Sequence, residues 1–78
     1  MNAKEMFEEL GYELVPRFVH INGSVLSYTN YKKCITIEFY LEKKAFCKIR
    51  KAFTNCSMNT SMSELQAINK QCEELGWI

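Results

Sequence analysis

The sequence predicts an α+β domain, with two amphipathic helices laid on one face of a short antiparallel sheet. Three observations predict it. Apolar residues recur at helical spacing near both ends of the chain, period-two alternation fills the middle, and turn residues interrupt that alternation at short intervals. At 78 residues there is room for a single core, so residues 1–78 are read as one domain. Apolar side chains make up 47% of the chain and aromatic ones 13%, enough to drive collapse into a packed unit.

The first helix is marked at both ends. Asn2 stands three residues before Glu5 as a capping pair, Ala3, Met6, Phe7 and Leu10 form an apolar stripe, and Gly11 offers the left-handed stop. The last helix follows the same logic: Ser61 and Glu64 make a capping box, Leu65, Ile68, Cys72 and Leu75 recur at helical spacing, and Gly76 ends it. Tyr12 and Trp77 follow the two glycines, where each can pack back on its own helix, on Phe7 and Cys72. Each helix also ends on paired glutamates, Glu8-Glu9 and Glu73-Glu74. Negative charge there opposes the helix dipole, so a compensating partner is expected, with sheet lysines the natural candidates.

Between the helices the sequence reads as a meander of three or four strands. Asn22-Gly23 joins Phe18–Ile21 to Ser24–Tyr28 as a hairpin, with Val19 opposite Leu26 and His20 opposite Val25, and Pro16 can begin that edge strand. Residues 13–22 also read as a loop that merely touches the sheet. A four-residue turn at Asn30–Lys33 sets Leu26 opposite Ile37 and Tyr28 opposite Ile35. Two registers compete at the last hairpin. A two-residue loop at Glu42-Lys43 sets Phe39 and Ile37 against Phe46 and Lys48, which buries a lysine; a three-residue loop through Lys44 sets them against Cys47 and Ile49. The second is preferred, and it pairs Glu38 with Lys48 and Tyr40 with Phe46 on the outer face. Ala45, Cys47 and Ile49 then point toward the helices.

That register decides the functional reading. The face away from the helices collects Phe18, His20, Tyr40, Phe46, Lys48 and Arg50, an aromatic surface rimmed by cations of the kind that binds a protein partner or a second copy. Charge supports the rim: residues 32–51 hold seven cations against two glutamates, whereas residues 1–31 and 52–78 each carry a net −2. Enzyme chemistry is not expected, because the chain has no Asp, one His, no glycine-rich phosphate loop and no nucleophile elbow. No cofactor is expected either. Cys34, Cys47, Cys56 and Cys72 contain no CxxC pair, so a metal site is not expected, and the start lacks a secretory apolar run, so free thiols in a cytoplasmic protein are. Nothing in the sequence spans a membrane. Single-stranded nucleic acid is a weaker alternative ligand, since no RNP pattern occurs and the pI is near 7.6.

The run from Glu64 to Ile78 (ELQAINKQCEELGWI) resembles the ending of a group of small proteins encoded by phages and prophages of Gram-positive bacteria. Met6–Tyr12 (MFEELGY) and Ile37–Phe46 (IEFYLEKKAF) are similar to that group as well, whereas residues 12–23 depart from it. The resemblance implies a bacterial host cytoplasm. It brings no activity, so no functional residue is carried over. The expected function is therefore a non-enzymatic protein-interaction module of phage or prophage type, with an anti-defence inhibitor, for example of a CRISPR system, as the alternative.

Overall fold

The computed structural model describes residues 1–15, 19–20, 23–50 and 58–78, with the backbone alone described at 19, 20, 23 and 24. It is an α+β fold in the predicted order: α1 (Ala3–Glu9), β1 (Glu13–Val15), β2 (Val19–His20), β3 (Gly23–Asn30), β4 (Ile35–Tyr40), β5 (Ala45–Arg50) and α2 (Met62–Glu74). The sheet is antiparallel and runs β1-β3-β4-β5, with β2 also on β3.

Local chemistry sets the helix ends. The α1 capping box is complete, with Glu5 N donating to Asn2 Oδ1 at 2.8 Å and Asn2 N donating to Glu5 Oε1 at 3.0 Å. Both helices then end in the same Schellman motif. Gly11 (φ +93°) and Gly76 (φ +77°) take the left-handed position, Tyr12 N donates to Phe7 O at 3.0 Å, and Trp77 N donates to Cys72 O at 2.9 Å. As expected, the Tyr12 ring meets Phe7 edge-on, with centroids 5.7 Å apart. The Trp77 ring reaches the sheet and lies 6.2 Å from Phe39.

The helices run antiparallel over one sheet face. Ala3 N donates to Glu74 Oε2 at 2.7 Å at one end of the pair, and Tyr12 Oη donates to Glu64 Oε2 at 3.1 Å at the other. The core lies beneath them. Phe7 stacks on Tyr28 at 4.1 Å and meets Phe39 edge-on at 6.2 Å, with Ile35, Ile37, Ala67 and Ile68 closing the cluster. Two expectations change here. The buried side of α2 carries Ala67, Ile68 and Gln71, while Leu65 is 46% exposed, because Gln71 turns inward to accept the Tyr28 hydroxyl at 2.6 Å. The helix-end glutamates find other partners than sheet lysines: Glu8 pairs with Lys4 at 2.8 Å, and Glu74 caps an amide at the start of α1.

Both hairpins after β3 close through four residues whose last member has positive φ, Cys34 at 57° and Lys44 at 53°. The first turn thus spans Tyr31–Cys34 instead of Asn30–Lys33, and Leu26 pairs with Phe39 and Tyr28 with Ile37. That is a slip of two residues, which leaves the expected faces intact. The early strand is real in the described residues but short. Val19 pairs with Ser24 and His20 with Gly23, not with Leu26 and Val25, and Glu13–Val15 adds a further strand on the same neighbour.

The last hairpin overturns the preferred register. Phe39 pairs with Phe46, Ile37 with Lys48 and Ile35 with Arg50, so Glu38 faces Cys47 and Tyr40 faces Ala45. Every side chain of β5 therefore lies on the opposite face from the one expected. The rejected register wins because the cost of covering Lys48 is met. Its Nζ lies 2.6 Å from Glu64 Oε1 as an ion pair and donates to Asn59 O at 2.9 Å, with the two side chains only 11% and 12% exposed. Phe46 meanwhile packs its ring 5.8 Å from Phe39.

Candidate functional site

The six residues expected to form one surface are divided by the sheet. Tyr40 stays on the outer face, half-buried. Phe46 and Lys48 lie on the helix side, and Arg50 follows them in the row opposite Ile35. Phe18 lies outside the described residues. The backbone of His20 sits opposite Gly23, and its side chain lies outside the described residues. The cation rim is thus separated from Tyr40, and the aromatic and basic surface that the other register implied is not formed by the described side chains.

What remains on the outer face has different chemistry. Its rows are Val15 and Ser27 with Glu38 and Cys47, Val25 with Tyr40 and Ala45, and Glu13 and Thr29 with Thr36 and Ile49. Alternation puts β-branched and small polar residues here, and no described helix lies over them. The centre is nonetheless shielded: Ser27 and Thr36 are each 1% exposed, and Thr29 Oγ1 and Thr36 Oγ1 share a hydrogen bond at 3.1 Å. Ser27 Oγ is buried without a hydrogen-bond partner among the described residues. Accessible surface lies toward the Leu41–Lys44 turn, where Ala45 is exposed and Val25, Tyr40 and Cys47 are half-buried.

Tyr40 organises this end. Its hydroxyl donates to Glu38 Oε1 at 2.8 Å, and the Cys47 Sγ lies 3.2 Å from the same oxygen. A phenol has one proton to give, and the Glu38 carboxylate and the Cys47 sulfur both lie within reach of it. Cys47 first and then Glu38 hold the phenol protonated far above its ordinary range. The group therefore offers a fixed polar anchor amid apolar neighbours, not a base. A concavity of about 310 Å³ opens between the helices, lined by Met1, Met6, Glu9, Leu10, Ser63 and Gln66. It brings one carboxylate together with two methionines, a leucine, a serine and one amide, without a partner group for acid–base work among them.

Sequence reasoning missed Glu64. The sequence makes it half of a capping box, and Ser61 Oγ does accept Glu64 N at 3.1 Å, but the carboxylate turns away to Lys48 and Tyr12. With the hydroxyl buried beside that carboxylate, Tyr12 is held protonated well above the usual phenol range, burial being the larger cause. Two signals in the sequence bear on it: a glutamate one turn before Ile68 on α2, and a lysine between Cys47 and Ile49 in the last strand. Among the described residues no three His, Cys, Asp or Glu side chains are grouped to hold a metal, and no helix is long and apolar enough to cross a membrane. Comparison of the chain with protein-family models, with curated proteins and with solved structures found no match.

Proposed function

We propose that this chain is a non-enzymatic protein-interaction module that binds a protein partner or a second copy through the Tyr40 end of its outer sheet face. The observation that carries the reading is the half-buried group of Tyr40, Val25 and Cys47 beside exposed Ala45, on a face that no described helix covers. Apolar groups around a fixed hydroxyl give a partner both area to bury and a polar point to orient on. The phage or prophage setting and the bacterial cytoplasm belong to this proposal through the sequence resemblance alone.

Light scattering over a concentration series tests it. A mass rising above the monomer, returned to the monomer by Tyr40→Lys or Ala45→Lys, supports a second copy as the occupant. A monomeric chain points to a foreign partner, whose co-purification the same substitutions must abolish. Association that survives both substitutions in both formats overturns the reading.

A further inference from the structure

Aromatic and cationic groups do meet in this molecule, at the tip of the β3–β4 hairpin. Tyr31, Lys32 and Lys33 occupy that turn, all three exposed, with Tyr31 64% accessible. The turn is braced from below. Asn30, only 4% exposed, accepts Lys33 N at 3.0 Å through Oδ1, while its Nδ2 donates to Leu10 O at the end of α1 across 3.5 Å. Cys34 closes the turn at φ 57°, and its thiol donates to Tyr31 O at 3.7 Å. An aromatic ring held out on a braced turn loses little freedom on binding. Arg50, opposite Ile35, adds a third cation at the same end of the sheet, and no acidic residue lies between Asn30 and Ile37. Glu13, opposite Thr29 across β3, is a carboxylate of this end.

Size decides the class of ligand. A stable protein interface needs about 800 Å² and roughly 20 residues a side, far more than one turn supplies. Lipid-binding basic clusters hold about four to eight cations, again more than the described residues of this tip supply. A single nucleic acid strand presents one charge and one stacking base per nucleotide, which matches one ring flanked by a few cations. We infer that the Tyr31–Lys33 tip is a contact site for single-stranded nucleic acid, with Tyr31 stacking on a base and Lys32 and Lys33 holding the adjoining phosphates. The site is separate from the Tyr40 end of the outer face and does not depend on it.

Fluorescence anisotropy of labelled oligothymidylate and oligouridylate with the intact protein tests the assignment. At about 20 mM salt a saturable signal is expected, falling with salt at a log–log slope of roughly −1 to −2, since each neutralised phosphate contributes about −0.7. Tyr31→Ala should weaken binding roughly tenfold, as loss of one stacked base does. Lys32→Ala with Lys33→Ala should bring the salt slope toward zero. These residues are exposed, so circular dichroism should show the fold of each variant unchanged. No signal at low salt overturns the inference. So does binding indifferent to Tyr31→Ala, or displacement of the strand by oligoglutamate or phosphatidylserine vesicles as effectively, charge for charge, as by unlabelled strand.

Discussion

Lys48 meets Glu64 at 2.6 Å beneath the first turn of α2, and this contact ties the edge strand β5 to the helix layer. Both side chains are nearly covered, so removing one charge strands the other. Glu64→Gln should therefore destabilise the fold by about 2–4 kcal/mol, read from urea unfolding. Lys48→Met combined with Glu64→Leu should cost less than Glu64→Gln alone, because no charge is left stranded. Equal or larger loss in the double variant would show that the pair is held by more than its own attraction.

Tyr28 and Gln71 join sheet to helix in the same way without charge. Tyr28→Phe leaves the buried Gln71 carbonyl without its donor, at a cost of about 1–3 kcal/mol. Burial, with smaller contributions from Glu74 and Glu8, pushes the Tyr28 phenol up to about 12. The folded state then keeps its proton where the unfolded chain has lost it. This contribution to stability is complete below pH 10 and lost as pH rises toward 12. Tyr12 and Tyr40 shift in the same direction and add to the alkaline loss. Unfolding midpoints of the wild type and Tyr28→Phe should converge as the pH climbs through that window.

The two helix-stop glycines share a conformation and differ in surroundings. A Cβ at Gly76 would meet nothing within 4 Å, whereas one at Gly11 would lie 3.1 Å from Asn30 Nδ2. Gly76→Ala should thus cost about 1 kcal/mol from backbone strain alone. Gly11→Ala should cost more, because Asn30 must also give way. If thermal melts rank the pair in the reverse order, the contact between Asn30 and the end of α1 is not the constraint described.

Ser27 offers a change of opposite sign. Its hydroxyl is buried without a partner among the described residues, so Ser27→Ala should stabilise the fold by roughly 1 kcal/mol. A loss of stability in chemical denaturation would mean that the hydroxyl is satisfied.

The elements were legible because they rest on local chemistry: Asn2 with Glu5, Gly11 and Gly76 after their helices, and alternation through Ile35–Phe39. The register of β5 was not, because it depends on a partner distant in sequence. Counting Lys48 as a cost is correct for a strand taken alone; Glu64, sixteen positions later, reverses that sign. The same blindness hid Gln71, whose inward turn follows from a hydroxyl on β3. A binary apolar pattern carries no information on such pairs. The candidate surface fell with the register, since one residue of slip exchanges the faces of a strand. Of its six members, Tyr40 alone has a described side chain that keeps the expected side.

Glu74 capping an amide of α1 bears on how the chain comes off the ribosome. Seven residues are too few to hold a helix in water unaided, where roughly 12–15 are marginal. The opening segment gains its carboxylate, and the Glu64 anchor for Tyr12, only from the closing thirteen-residue helix. During synthesis α1 therefore cannot be secured until α2 has been made, so the two helices should dock together in one step instead of the fold growing from α1 onward.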